Sequence, residues 1–309
     1  MRVASLQPFA TDILTRCGIG SDLVAVSHLC EVPKSCGRPE VVSRAPGQPY
    51  PYADKNQERL ALGIGVYAVD VKKIVELAPD VVVGEVVAAD VAEFIAWAES
   101  YLASVCGRKV KLLNVSIATI AEMTGVVEEI GAVANGRAEA RTLVGKTQAQ
   151  LMAWADSFFD RCKGKRVVVL SSVTPLLVAA RWIPDLVRLL GGKTLEQDPK
   201  RSQGVFTWDD VVAARPDVLV IAPEGEELGQ SVKALKTLQA LPNWEELPAV
   251  KRGEVIFCPG TDLYRAGPRF LKGAAILVSA VAGLDSGYIT ERDSYFKVRY
   301  LELHRHRFL

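Results

Sequence analysis

At 309 residues the chain is long enough for two compact lobes, each with its own core. Hydrophobic residues at 49% and charged residues at 24% give an ordinary globular balance, which excludes wholesale disorder. With 37 basic and 36 acidic side chains the formal net charge is +1, too little for the broad positive field of a nucleic-acid binder.

The N-terminus, MRVASLQPFATDIL, lacks the long apolar core and small-residue cleavage site of an export signal. On that basis the expected location is cytoplasmic, or periplasmic or secreted if a leader has been removed. Val3 to Leu6 reads as a first core strand ended by Pro8, and Asp12 to Gly18 as a helix closed by glycine. Asp22 to Ser27 reads as a second strand, with Ser27-His28-Leu29-Cys30-Glu31-Val32-Pro33 as the loop at its end. Val81 to Trp97 is the longest apolar stretch, but Glu85, Asp90 and Glu93 break it, so no membrane span is expected. The six cysteines form no C-x-x-C pair, which fits reduced thiols; only Cys30 and Cys36 are near enough for a local bridge.

The chain repeats itself. Asp70 to Val83 is echoed by Thr207 to Val220: a capping residue, a short amphipathic helix, a proline at 79 or 216, then a branched buried strand. Arg2 to Leu6 is matched by Arg166 to Leu170, and Asp12 to Gly18 by Asp185 to Gly191. Alternating strands and helices in each half predict an α/β fold: two Rossmann-like lobes with mainly parallel sheets. Between them, Ala138 to Cys162 has helical apolar spacing and no proline, so it predicts a connector about 25 residues and roughly 38 Å long. Gly145 is its weak point. The expected divisions are an N-terminal lobe at 1–118, a helical segment at 119–163, a C-terminal lobe at 164–284 and a tail at 285–309. A ligand is expected in the crevice of two such lobes.

These segments, in this order, resemble the helical-backbone class of substrate-binding proteins, and its cobalamin-binding branch in particular. The matching stretches are Val3 to Pro8, Leu23 to Pro33, Val69 to Asp80, Arg181 to Val187, Gly191-Gly192, Thr207-Trp208 and Asp262 to Arg269. The resemblance covers roughly residues 1–284. It implies a non-catalytic protein that holds a corrinoid, another tetrapyrrole or a metal chelate between its lobes, with no cofactor of its own. By the same resemblance Thr174, Trp182, Asp262, Tyr264 and Arg265 line the second-lobe pocket. Trp182 and Tyr264 would offer apolar faces, Asp262 and Arg265 hydrogen bonds to a polar fringe. On their own, Trp182 and Tyr264 also read as core residues and Asp262 as a turn former.

In the first lobe the strand Val81 to Val83 is followed by Gly84-Glu85-Val86, where cobalamin binders often carry an aromatic. Tyr67, or Tyr50 and Tyr52, would supply a substitute surface beside Glu85. Family members that dock on an importer carry an acid at the tip of each lobe; the matching residues here are Lys72 and Asp209. A lysine repels basic partner residues, which argues against docking to a conventional ABC permease.

For His28, Cys30 and Glu31 the residues leave three readings open. They are a ligand-facing lip with His28 and Cys30 in contact, a zinc or iron site, or a cysteine nucleophile with His28 as base. The lip agrees with the resemblance. The metal site keeps alive a metal-dependent enzyme or metallochaperone centred on His28, Cys30 and Glu31. An interaction protein with a degenerate pocket, using Lys72 and the tail, is the third function class.

Overall fold

The computed structural model describes residues 1–45, 50–64, 68–195, 203–284 and 296–297. The chain divides into two compact units: Met1–Ile117 with Met123–Gly145, and Ala118–Glu122 with Lys146–Leu309. The division falls inside a helix of 26 residues, Arg137–Cys162.

In the first unit the strands are β1 (Val3–Ser5), β2 (Leu23–Val26), β3 (Glu40–Val41), β4 (Ser43–Arg44), β5 (Ala68–Val69), β6 (Val81–Gly84) and β7 (Lys111–Asn114). Its helices are α1 (Pro8–Arg16), α2 (Lys55–Gly63), α3 (Val71–Leu77), α4 (Val91–Cys106) and α5 (Ile120–Val133), followed by α6, the long Arg137–Cys162 helix. The sheet runs β3-β2-β1-β6-β7, with every pairing parallel. Pro8 opens α1 at its first position, where a missing N–H costs nothing, rather than merely ending β1. Buried Ala4, Val82, Ile74, Phe94 and Leu102 belong to one core cluster of this unit.

The second unit has β8 (Val167–Val173), β9 (Leu176–Ala179), β10 (Gln203–Val205), β11 (Val218–Ile221), β12 (Val255–Phe257) and β13 (Phe296–Lys297). Its helices are α7 (Ile183–Leu189), α8 (Trp208–Ala214), then α9 (Leu228–Lys233), α10 (Leu235–Gln239) and α11 (Pro248–Arg252) between β11 and β12, and α12 (Gly260–Leu263) and α13 (Phe270–Ala282) after β12. Strand order is β10-β9-β8-β11-β12-β13. β8, β11 and β12 form a parallel centre, while the sheet edges β9, β10 and β13 are antiparallel. Both units are α/β.

The repeat read in the sequence is physical. Asp70 accepts the Lys73 amide at 3.0 Å to cap α3, and Thr207 forms a reciprocal capping box with Asp210 on α8. Both helices span seven residues and end on a left-handed residue, Ala78 or Arg215, just before the proline. Gly18 and Gly191, at φ +79° and +78°, close the turns after α1 and α7. The echo reaches one residue further than the sequence suggests. The Arg2 amide donates to Asp80 at 2.7 Å, and the Arg166 amide to Asp217 at 3.0 Å. A second arginine, Arg108 or Arg252, pairs with the same carboxylate in each unit.

Helix α6 runs through Gly145 unbroken, a length of roughly 39 Å. Gly145 is exposed, and a Cβ added there would meet nothing within 4 Å. Gly145→Ala is therefore expected to stabilise the chain by about 1 kcal/mol, the helix-propensity difference. Thermal denaturation checks it: an unchanged or lowered midpoint would mean that α6 needs its glycine.

Candidate functional site

Open parallel sheets offer ligands the loops at the C-terminal ends of their strands. In the first unit these are Leu6-Gln7 after β1, Ser27 to Cys30 after β2 and Glu85 to Asp90 after β6. A tight turn follows β2, closed by the Cys30 amide on the Ser27 carbonyl at 3.0 Å. It sends neighbouring side chains to different partners. The His28 ring bonds through Nδ1 to the Ser43 hydroxyl at 2.7 Å, and the same oxygen accepts the His28 amide at 3.0 Å. Cys30 turns to the hydroxyls of Thr11 and Ser27, each 3.1 Å from its sulfur.

His28 and Cys30 thus serve separate networks, and Glu31 is exposed. Among the described residues no three His, Cys, Asp or Glu side chains gather to hold a metal ion. All six cysteines are free thiols, Cys30 and Cys36 included. Burial pushes the Cys258 thiol far above its ordinary value, so it is inert.

Ser5, Thr11, Ser27 and Cys30 form a polar cluster that the sequence reading passed over. The three hydroxyl residues are almost wholly buried, with Thr11 Oγ1 2.8 Å from Ser5 Oγ. Small polar residues at strand ends look bland in a sequence; only their convergence across β1, β2 and α1 marks them. Glu85 is half-buried at the end of β6. The loop beyond it borders a groove of about 570 Å³, lined by Leu62, Val87, Phe94 and charged residues of α2 and α4. Leu62 and Val87 are exposed there. Tyr67 lies outside the described residues. Tyr52 packs against the core of its unit, and Tyr50 lies under the Arg44 guanidinium, 4.0 Å from it.

In the second unit Thr174 is exposed at the β8–β9 turn, where its bond to Pro175 is cis. Beyond β12, Asp262 lies in α12 and Tyr264 and Arg265 directly follow it; all three are half-buried. Asp262 pairs with Lys272 at 3.2 Å. The Tyr264 hydroxyl is buried beside Ser171 without a well-formed hydrogen bond. Burial pushes this phenol well above its ordinary value, helped by Glu224 and Cys258 and opposed by Ser171. Trp182 corrects the expectation of a broad open face. It is 3% exposed, packs edge-on against Phe270, and directs its indole N–H to the Leu263 carbonyl at 3.5 Å. In that position it braces the residue just before Tyr264.

The sheets, the strand-end loops and the long helix are those of a known architecture. Residues 3–261 match the model of the periplasmic binding protein family. The chain belongs to that family. Its members are non-catalytic solute-binding proteins, and binding rather than catalysis is this chain's work. Compared with curated proteins, it matches none.

Among solved structures it resembles a possible iron-binding, periplasmic solute-binding protein of Staphylococcus epidermidis. The TM-score is 0.65 and the identity 21%, covering 91% of this chain and 98% of the other. It also resembles the periplasmic vitamin B12 binding protein of Vibrio cholerae, at 0.63 and 19%, covering 92% and 98%. A periplasmic heme binding protein of Pseudomonas aeruginosa gives 0.65 and 16%, covering 96% and 98%. Identities this low establish the fold. The family is named for the periplasm, so a cytoplasmic location gains no support, and no helix among the described residues is long and apolar enough to cross a membrane.

Proposed function

We propose that the chain carries a corrinoid, another tetrapyrrole or a metal chelate at its strand-end loops. The observation that carries this reading is the family match over residues 3–261. Two arrangements support it. Asp262, Tyr264 and Arg265 lie together beyond β12, and Thr174 stands at the turn beyond β8. His28, Cys30 and Glu85 follow β2 and β6 at the corresponding edge of the first sheet. Tyr264 and Arg265 supply an aromatic body and a cation, and Asp262 an acceptor; Trp182 supports their segment from below.

Permease docking is not part of this proposal. Lys72 and Asp209 are exposed at the second positions of α3 and α8, and a lysine repels the basic surface that a carboxylate attracts.

Titration with cobalamin, haem and ferric chelates, followed by absorbance and tryptophan quenching, tests the reading. Saturable binding of one of them is expected, weakened by about 1–3 kcal/mol in Arg265→Ala or Tyr264→Ala. Flat titrations with folded protein would sink it.

A further inference from the structure

The two sheets share a plan at their centres and differ at one edge. In the first, β1, β6 and β7 lie side by side and parallel; in the second, β8, β11 and β12 do. β12 is finished by the antiparallel strand β13, which pairs Ile256 with Lys297 and Phe257 with Phe296. Among the described residues no strand pairs with the other side of β7. Beside it runs a groove of about 530 Å³, lined by Ile95 of α4 and by Ala132 and Val133 of α5. An open edge with room beside it is a template for pairing with another chain.

The main-chain directions along β7 follow from its pairing. The Lys111 and Val115 amides go inward, to the Asp80 and Gly84 carbonyls at 2.9 and 3.0 Å. Successive residues of a strand address opposite neighbours, so Leu112 and Asn114 turn their main-chain groups outward. The Leu112 amide is nevertheless taken: it donates to Glu99 Oε1 at 2.9 Å. Its acceptor is thus a side chain of α4 rather than a strand. Glu99 is half-buried in the middle of that helix, which is capped by Asp90 and needs nothing from this bond. The Asn114 carboxamide is engaged elsewhere, accepting the Val86 and Ser116 amides at 3.0 and 3.1 Å. Lys111, exposed at the start of the strand, adds a charge to the edge.

We propose that Glu99 is a guard: by occupying the Leu112 amide it keeps β7 from pairing with the β7 of a second copy of this chain. The partner kept out is a second copy because the edge is self-complementary. About a two-fold axis at Leu113, the outward N–H and C=O of Leu112 meet those of Asn114 in the other copy, and both bonds are exchanged. That pairing needs a free Leu112 amide, and a carboxylate holds it more strongly than a carbonyl does. Antiparallel addition is also what finishes the corresponding edge at β12. The two units therefore close the same edge in two ways, with a strand in one and a side chain in the other. The guard is independent of what the strand-end loops carry.

The test is light scattering on the full chain over a range of concentrations, with circular dichroism to establish folding. Wild type and Glu99→Gln, whose Oε1 still accepts the Leu112 amide, are expected to share one mass at every concentration. Glu99→Ala should rise toward twice that mass as concentration increases. Amide hydrogen exchange locates the contact. In dilute Glu99→Ala the Leu112 amide should exchange about tenfold faster than in wild type, as for one lost bond to a charged group, and slow again as the mass rises. A Glu99→Ala mass that stays at the wild-type value overturns the guard. A gain in mass with Leu112 still fast also overturns it, since the contact then lies elsewhere. Association of Glu99→Gln would assign the effect to charge alone and overturn the bond as its cause. If Glu99→Ala does not fold, Glu99→Ser, too short to reach the amide, takes its place with the same expected outcomes.

Discussion

Asp217→Ala is expected to destabilise the second unit by about 2 kcal/mol at neutral pH, the scale of hydrogen bonds to a charged group. Asp217 precedes β11 and ties together the starts of three strands. It accepts the Arg166 amide at 3.0 Å and a forked pair of guanidinium bonds from Arg166, each 2.9 Å. Arg252, at the end of α11, adds another at 3.0 Å. The carboxylate is 16% exposed while its arginines are 40% and 62% exposed, so solvent screens the partners and the figure stays well below that of a buried pair.

The forked Arg166 bond is the main reason that this carboxyl is held far below the usual carboxylate range; burial opposes the shift, and the Arg166 amide and Arg252 reinforce it. A depressed folded value contributes stability that is complete above the unfolded value, about 3.9, and is lost as pH falls below it. Urea denaturation followed by circular dichroism at pH 7 and in the acid region below pH 4 reads both effects. The gap between wild type and Asp217→Ala should narrow as pH falls. Equal midpoints at pH 7 would sink the clamp, and a gap indifferent to acid would assign the loss to shape. Asp80 is the internal control. It holds Arg108 and the Arg2 amide, but the Arg2 guanidinium goes to the Leu77 carbonyl at 2.7 and 2.9 Å. Asp80→Ala should therefore cost less.

What the sequence made legible was local. A capping residue, a helix of seven residues and a proline specify one another within a dozen positions, so the paired units around Pro79 and Pro216 were readable without tertiary knowledge. The long helix was readable because nothing in it competes with helical geometry except Gly145. The antiparallel edges of the second sheet were not. Their hairpin turns on Thr174-Pro175, which carries none of the Asn-Gly or Asp-Gly signals of common two-residue turns. Trp182 was ambiguous for a different reason. An aromatic near a strand end has the same spacing whether it faces solvent or core, and only Leu263 and Phe270, more than eighty residues away, decide. His28 and Cys30 looked like a pair because they are neighbours; the turn closed on Ser27 separates them. Glu99 gave no signal at all, since its reach to the Leu112 amide is a property of three-dimensional surroundings.

Gly260→Ala is expected to cost about 3 kcal/mol and to weaken cargo binding with it, because overpacking against rigid backbone has nowhere to relax. Gly260 opens α12 directly beyond β12, where its amide meets the Glu226 carbonyl at 2.8 Å. A Cβ there would stand 1.8 Å from the Pro223 carbonyl oxygen and 2.5 Å from its carbon, against a floor of 3.0 Å for real contacts. Both sides of this clash are main chain, so the 223–226 turn and the start of α12 must separate. Asp262, Tyr264 and Arg265 follow within five residues and would move with it. Gly273→Ala attacks the same segment from α13, where its Cβ would lie 2.2 Å from the Asp262 carbonyl oxygen. Gly229→Ala on nearby α9 meets nothing within 4 Å and should leave stability and binding intact. Thermal midpoints and tetrapyrrole titrations of the three variants separate the cases. If Gly260→Ala and Gly273→Ala lose stability but keep full affinity, the loop bearing Tyr264 and Arg265 is structural and the cargo contacts lie elsewhere. If affinity falls in both and holds in Gly229→Ala, the position of that loop governs binding.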